Sequence, residues 1–322
     1  MLVLSDCPGK LAGLIPEGSW SEVEEAALTA TDGRVWRALG PAGRLWQGHL
    51  ESLAPPGFWS RALIVGEAPD SQFDALRELL GSDLELPGPT ACLALSGRGF
   101  HGQRGRPWLA APGNLHLCVA FPEPGLPARH ASRLAALPTV SVIDAVRSLT
   151  GGSLQPGIKW VNDVLLDGCK IAGVLTSTQT QADRIGAVLL GIGLNVATAP
   201  AVDTTPFVPS VGCLAEAGAT VTVLDAFVGV LDALARRMGE IESAGPGPLL
   251  EAYRAASLVI GHEVCVFEEA AEGPMAGSPA RPLARGTVRG IGDDLSLVLD
   301  GVDAPVTRGR LAFAEHCDPL GR

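Results

Sequence analysis

The middle of the chain reads Lys159-Trp-Val-Asn-Asp-Val-Leu-Leu-Asp-Gly-Cys-Lys-Ile-Ala-Gly173. Two short apolar runs flank Asp167-Gly168, a dipeptide typical of a tight hairpin turn. The pattern therefore predicts a β-hairpin with Lys170 on a strand just after the turn. A strand holds a side chain in a better-defined position than a loop, so an ammonium group beside Gly173 could grip a phosphate or a carboxylate. Taken alone, the stretch could equally carry solvated surface charges.

Upstream, residues 97–108 form a loop rich in glycine and arginine. Its candidate ligand-binding residues are Gly97, Arg98, Gly99, Arg104, Arg106 and Trp108. Glycine lets the backbone fold closely around an anion, and arginine supplies charge-assisted hydrogen bonds to carboxylate or phosphate. Taken alone, the loop could also be a flexible basic surface turn.

Downstream, residues 184–195 are almost continuously apolar and end in Gly191-Ile-Gly-Leu-Asn195. An apolar run of this length predicts a strand that is buried on both faces. The segment would end with one amide side chain, that of Asn195. By itself, this asparagine could simply terminate the strand.

These three blocks, in this order, resemble the biotin protein ligases, whose catalytic domain carries a GRGRxGRxW loop, a KWPNDxxxxxxKxxGxL hairpin and a GxGxN strand end. The resemblance runs from about Asp70 to the C-terminus. It implies an α+β fold in which helices flank a mixed β-sheet, as in class II aminoacyl-tRNA synthetases, followed by a small SH3-like β-barrel. We expect an N-terminal extension of unclear role at residues 1–60, a catalytic domain at 61–256 and the SH3-like domain at 257–322.

The resemblance also assigns roles to residues. It implies catalytic roles for Lys170, Arg98 and Arg106. It implies contacts to biotin or nucleotide for Ser71, Gln72, Gly97, Arg98, Gly99, Arg104, Arg106, Trp108, Lys159, Asn162, Asp163, Lys170, Gly173, Leu175, Gly191 and Asn195. Trp108 would offer an apolar plane to the adenine ring. No side-chain metal site is predicted.

Several positions depart from the family pattern. The loop has about three extra residues between Phe100 and Arg104, and Phe100 stands where the family has arginine. Ala94 replaces a glutamine that contacts biotin in the family, and Gln72 and Phe73 replace threonine and asparagine in a biotin-contacting stretch. These changes make the acid pocket less polar.

The implied function is ATP-dependent biotin protein ligation. Biotin, ATP and Mg²⁺ would give biotinyl-5′-AMP, and biotin would then pass to a lysine of a biotin carboxyl carrier protein or domain. One alternative is a lipoate or octanoate ligase or transferase on the same fold. Another is a non-catalytic homologue that binds the adenylate or biotin. The resemblance leaves open whether the protein is a monomer or a homodimer.

Composition limits the remaining possibilities. The 322 residues are 47% hydrophobic and carry a formal net charge of -11, which argues against general nucleic-acid affinity. Residues 1–60 hold four basic and seven acidic residues and show no recognition helix, so no DNA binding is expected. Neither a signal peptide nor a long apolar run appears, which predicts a cytoplasmic protein without a membrane partner. Seven scattered cysteines without C-x-x-C spacing are expected to be reduced thiols.

Local signals predict further elements. Ser21 and Glu24 form a capping box before a short helix at residues 23–30, and Ser71 caps a helix that ends at Gly81. Residues 115–121 alternate as a half-buried strand with His116 facing outward. A helix at 127–149 should be interrupted by Pro138. The C-terminal region should contain short strands, including one at 304–308, and a mobile tip at 270–281.

Overall fold

A ten-stranded mixed β-sheet is the main feature of the computed structural model, which describes residues 1–51, 53–82, 84–268 and 282–317. Its strands are β1 (Leu2–Ser5), β2 (Ser21–Glu22), β3 (Trp46–His49), β4 (Arg61–Val65), β5 (Thr90–Ala94), β6 (Leu115–Pro122), β7 (Gly157–Lys159), β8 (Asp163–Leu166), β9 (Cys169–Gln181) and β10 (Arg184–Leu194). They lie in the order β2-β3-β1-β4-β5-β6-β10-β9-β8-β7. The pairs β1/β4 and β4/β5 are parallel and the other neighbours are antiparallel, which confirms the predicted mixed sheet.

Helices cover both faces of this sheet. Those of the described residues are α1 (Ala30–Ala38), α2 (Gln72–Gly81), α3 (Ala136–Leu149), α4 (Val223–Ala244) and α5 (Gly247–Ala255). Along β6, Leu117 and Val119 join the core beneath α3 and α4, whereas Cys118 and Ala120 join the core beneath α1 and α2. Because successive strand residues point to opposite faces, β6 is buried on both sides. The prediction of a half-buried strand is therefore wrong.

The first sixty residues supply three strands of the sheet, with β1 lying between β3 and β4. Buried Asp32 of α1 pairs with Arg61 of β4. Asp6 accepts hydrogen bonds from the backbone N–H groups of Gly66 (2.8 Å) and Ala42 (3.1 Å). The segment thus supports the turn that follows β4. The domain boundary after residue 60 stays a prediction.

Two helix predictions are corrected by the structure. The helix expected at 23–30 is wrong, because Ser21 lies in β2 and Thr29 caps α1 by accepting a hydrogen bond from the Asp32 N–H. Residues 127–149 form two short 3₁₀ turns followed by α3. Pro138 lies in the first turn of α3, where its missing N–H costs little, so it does not kink the helix. The Ser71-capped helix is confirmed as α2.

The C-terminal region forms a separate antiparallel sheet, consistent with the predicted SH3-like domain. Its strands are β11 (Glu263–Phe267), β12 (Ala284–Ile291), β13 (Leu297–Leu299) and β14 (Arg310–Phe313), in the order β13-β12-β11-β14. The strand expected at 304–308 is wrong, because there Val306 makes only an isolated bridge to Leu297. The predicted tip at 270–281 lies outside the described residues.

Cysteine bonding also differs from the prediction. Cys265 of β11 and Cys317 form a disulfide, so the expectation of seven reduced thiols is wrong for this pair. Cys7, Cys92, Cys118, Cys169 and Cys213 are free. No helix of the described ranges has the length and apolar character needed to cross a membrane.

Candidate active site

The predicted hairpin is present and positions an ion pair. Asp167 and Gly168 both have positive φ angles, 49° and 79°, and connect β8 to β9 as the sequence predicts. Lys170 follows on β9, and its Nζ lies 2.6 Å from Oδ1 of Asp163. Both side chains are about one-fifth exposed, so they reach solvent through the cavity described below. The Nδ2 of Asn162 donates to the Val174 carbonyl at 2.8 Å and fixes the base of the hairpin.

A second ammonium group lies beside this pair and is buried. Lys159 at the end of β7 is 4% exposed, and its Nζ donates to the carbonyl oxygen of Phe207. Burial lowers the pKa of the Lys159 ammonium to about 8; Asp163 opposes this shift, and the nearby charges of Lys170, Arg310 and Arg106 add to it. Several cations therefore converge on one small region.

Only some of the arginine side chains of the glycine–arginine loop lie on the same side as these lysines. Arg106 and Trp108 line the same cavity. Arg98 is instead 79% exposed and pairs with Glu67 at 2.8 Å. Arg104 is exposed and has a left-handed backbone conformation, with φ of 60°. The loop therefore bends so that its second half, rather than its first, faces the hairpin.

Trp108 lies on a floor made by two glycines. A Cβ at Gly193 would lie 2.3 Å from the Trp108 ring, and one at Gly173 would lie 3.4 Å from it. The Trp108 Nε1–H donates to Nδ1 of His116 at 3.3 Å, and Nε2 of His116 lies 3.0 Å from the Ala111 carbonyl. The neutral tautomer with its proton on Nε2 satisfies both contacts. Burial lowers the pKa of His116, which favours this neutral form.

His116 is therefore not the outward-facing residue that the sequence predicts. It is 2% exposed and lies under the loop, with the Phe100 ring packed edge-on against it at 5.8 Å between centroids. The inserted part of the loop has another anchor, since Nε2 of His101 lies 2.5 Å from Oδ2 of Asp74 on α2. These contacts hold the enlarged loop against both the sheet and a helix.

The far end of the cavity is mostly apolar. A Cβ at Gly191 would lie 3.0 Å from the Phe73 ring and 3.3 Å from Leu175, so the glycine leaves room for these side chains. Ser71 and Gln72, at the start of α2, also line this cavity. An acyl chain would find apolar walls here, close to two polar side chains.

Asn195 lines the cavity and keeps an unused amide oxygen. It is 1% exposed, its Nδ2 donates to the Gly212 carbonyl at 3.0 Å, and within the described residues its Oδ1 has no hydrogen-bond partner. Carboxylate and amide oxygens are the ligands that Mg²⁺ prefers. The described residues contain no cluster of three or more His, Cys, Asp or Glu side chains arranged to hold a metal.

The two lysines, Arg106, Trp108 and Asn195 line one cavity of about 400 Å³, within the range of small-molecule sites. Twelve predicted site residues line it: Ser71, Gln72, Arg106, Trp108, Lys159, Asn162, Asp163, Lys170, Gly173, Leu175, Gly191 and Asn195. Four predicted residues are not among the described residues that line it: Gly97, Arg98, Gly99 and Arg104. Lining residues that the sequence reasoning did not assign to the site include His101, His116, Asp203, Phe207 and Arg310.

Arg310 closes the cavity from the C-terminal sheet. Its guanidinium lies 3.8 Å from the centroid of the Phe207 ring, and Phe207 also packs edge-on against Phe267 of β11. No sequence pattern marks either Phe207 or Arg310, because each reaches the site only through the packing of segments distant in the chain.

Known proteins resemble this chain in sequence and in fold. Residues 69–195 match the model of the biotin/lipoate A/B protein ligase family. The biotin--[acetyl-CoA-carboxylase] ligase of Mycobacterium tuberculosis is 31% identical over 65% of this chain and 75% of that protein. The chain belongs to the biotin/lipoate protein ligase family.

Other members of the family match over more of their length. The biotin--[acetyl-CoA-carboxylase] ligase of Paracoccus denitrificans is 29% identical over 67% of this chain and 86% of that protein. The structure of the biotin protein ligase from Aquifex aeolicus in complex with biotin and ATP matches with a TM-score of 0.56 and 18% identity, over 79% of this chain and 99% of that one. At this identity, the structural match supports the fold alone.

Proposed function

We propose that this member of the family is an ATP-dependent biotin protein ligase, a carbon–nitrogen ligase. The observation that carries the proposal is the two-ended cavity. Lys170, Lys159 and Arg106 meet at one end, and apolar walls with the Gln72 amide form the other. One end suits the phosphates of a nucleotide and the other suits a largely apolar acid. The names of the two bacterial relatives reported above support biotin as that acid.

The chemistry requires activation because a carboxylate does not acylate an amine at a useful rate. A biotin carboxylate oxygen would attack the α-phosphorus of ATP, the bond to the pyrophosphate oxygen would break, and biotinyl-5′-AMP would form. Negative charge grows on the α-phosphoryl oxygens, and the cationic groups of Lys170 and Arg106 would stabilise it. Asp163 would orient Lys170 through their 2.6 Å ion pair.

Mg²⁺ would offset the charge of the pyrophosphate, and the side-chain oxygens of Asp163 and Asn195, which both line the cavity, would hold it. Trp108, packed against Gly173 and Gly193, would shield the anhydride from water. In the second step, a lysine amine of a carrier protein would attack the acyl carbon, release AMP and lose a proton. A biotin carboxyl carrier domain is the proposed acceptor.

A second acid deserves testing because of the apolar end. Ala94 and Phe73 present no hydrogen-bonding side-chain group where the family pattern has glutamine and asparagine. A lipoate or octanoate ligase would have such a pocket.

A cytoplasmic location, the absence of a nucleic-acid partner, and a monomeric or homodimeric state stay predictions.

The deciding experiment is ATP–pyrophosphate exchange with Mg²⁺ and with biotin, lipoate, octanoate or no added acid. Exchange that depends on biotin alone is expected. Exchange with lipoate or octanoate instead of biotin would show that the protein is a lipoate or octanoate ligase. Exchange with none of the three acids would contradict the activation of any of them. Lys10→Ala, at an exposed position, serves as the matched control for variants of the cavity lysines.

A further inference from the structure

The enlarged part of the glycine–arginine loop folds back on itself as a small hairpin, the loop hairpin (residues 100–108). Two backbone hydrogen bonds join its arms: the Trp108 N–H donates to the Phe100 carbonyl at 2.9 Å, and the Gly102 N–H donates to the Arg106 carbonyl at 2.6 Å. The second arm carries Arg106 and Trp108, which line the cavity. Because the arms are joined, the position of these two side chains depends on where the first arm is fixed.

His101, on the first arm, attaches the loop hairpin to helix α2. Its Nε2 lies 2.5 Å from Oδ2 of Asp74, and its Nδ1 lies 3.0 Å from the Gly102 carbonyl oxygen. The other carboxylate oxygen of Asp74 faces Arg77, 2.7 Å away. A carbonyl oxygen and a carboxylate paired with a guanidinium can only accept hydrogen bonds, so both ring nitrogens of His101 must donate. Only the imidazolium form can do this, and the contact to Asp74 is then an ion pair.

The groups around His101 favour this charged form. Burial lowers the pKa of His101, but the hydrogen bonds to the Gly102 carbonyl and to Asp74 outweigh burial and raise the pKa above its ordinary value of 6.5. Within the described residues, Asp74 and Arg77 of α2 are the charged groups that act on this ring, and Arg77 opposes the rise. The ion pair is therefore complete at low pH and is lost as the pH rises through the His101 pKa.

We propose that His101 is a positioning residue, whose imidazolium fixes the loop hairpin on α2 and thereby positions Arg106 and Trp108. A loop hairpin without this anchor would sample other conformations. The apparent affinity for a ligand falls with the fraction of the protein that is in the binding-competent conformation. The consequence for nucleotide binding rests on the proposed function, whereas the anchor itself does not.

The first test detects the anchor without any substrate. An arginine-specific protease would be added to the full-length protein at about pH 7, and cleavage after the exposed Arg104 would be followed by mass spectrometry. We expect cleavage to be about three- to tenfold faster in His101→Ala than in the unmodified protein. His101→Lys keeps a permanent cation opposite Asp74 and should be cleaved at nearly the unmodified rate. His49→Ala, at an exposed position of β3, is the control.

The pH dependence of cleavage separates an ion pair from a packing contact. Dividing the cleavage rate of the unmodified protein by that of His101→Lys removes the pH dependence of the protease itself. This ratio should be about 1 at about pH 6 and should rise about three- to tenfold toward about pH 8.5, because the imidazolium loses its proton while the lysine keeps its own. A ratio that does not change with pH would overturn the proposal.

The second test measures the effect on the cavity. In biotin-dependent pyrophosphate exchange, His101→Ala should raise the KM for ATP about three- to tenfold with little change in kcat, and His101→Lys should restore the original KM. Faster cleavage without a change in KM would mean that the anchor does not position the site. A higher KM without faster cleavage would mean that His101 acts on the ligand directly. Either result overturns the proposal.

Failure of the proposed function would look different. If the unmodified protein showed no exchange with any acid, the proposed function would be refuted. Cleavage after Arg104 would still decide whether His101 anchors the loop hairpin, because that measurement uses neither ATP nor an acid.

Discussion

The buried ammonium of Lys159 makes a quantitative prediction about stability. Burial lowers its pKa to about 8 from the ordinary value of 10.5. The folded protein therefore binds this proton more weakly than the unfolded chain, which costs about 3 kcal/mol of stability at neutral pH. Because the unfolded state holds more protons between about pH 8 and 10.5, the contribution of Lys159 to stability should rise with pH across that window.

Lys159→Met removes this cost and keeps most of the side-chain volume. The Phe207 carbonyl loses its hydrogen bond from Nζ, which offsets the gain by about 1–2 kcal/mol. The net expectation is a protein that is stabilised by about 1–2 kcal/mol at pH 7, with a higher Tm, but that binds ATP more weakly because a cation has left the cavity. The stability advantage over the unmodified protein should shrink as pH rises from 8 to 10.5.

Two measurements check this reasoning. Thermal unfolding of both proteins from pH 6.5 to pH 10.5 gives the pH dependence of their difference in Tm. The chain has only three lysines, Lys10, Lys159 and Lys170, so NMR of lysine-labelled protein can follow each ammonium group separately. A difference in Tm that does not change with pH, together with a Lys159 signal that titrates at the ordinary lysine value of 10.5, would refute the argument.

Three further variants test the site. Lys170→Ala should lower the rate of adenylate formation by about 10²- to 10³-fold without changing the fold, as measured by pyrophosphate exchange and circular dichroism; an unchanged rate would contradict its role. Gly193→Ala should displace Trp108 and slow adenylate formation, because the new Cβ would lie 2.3 Å from the ring. In the control Gly186→Ala, the new Cβ would lie 3.8 Å or more from its neighbours, so the rate should not change. His116→Leu should raise the KM for ATP by several-fold, because Trp108 loses its hydrogen-bond acceptor. His116→Asn can keep an acceptor near the position of Nδ1 and should therefore restore the original KM. Equal KM values for the two variants would refute the hydrogen-bonding role.

Local chemistry made the hairpin predictable from sequence. Asp167-Gly168 determines the turn, and the turn places Lys170, so no distant contact is needed. In the same way, the Ser71 cap specifies the start of α2 from residues within one helical turn. The twelve predicted residues that line the cavity mostly belong to such short, self-contained elements.

The positions that sequence reasoning missed or misplaced depend on distant partners. Arg98 turns away from the cavity toward Glu67, which lies thirty-one residues earlier in the chain. His116 is buried because the glycine–arginine loop covers it through Phe100 and Trp108, and the alternation of apolar residues along its own strand gives no information about a loop from elsewhere in the chain. Arg310 reaches the site only because the C-terminal sheet packs beside the Phe207 segment.

The place of β1 within the sheet has a consequence for the first sixty residues. Strand β4 leads through a turn to Ser71 and Gln72 at the start of α2. Strand β1 pairs with β4 along the whole length of β1, from Leu2 opposite Arg61 to Ser5 opposite Ile64. Without that neighbour, β4 would become an edge strand with a row of unpaired N–H and C=O groups, which is a template for intermolecular pairing. A protein shortened to begin near residue 61 should therefore aggregate, even though every residue that lines the cavity would still be present.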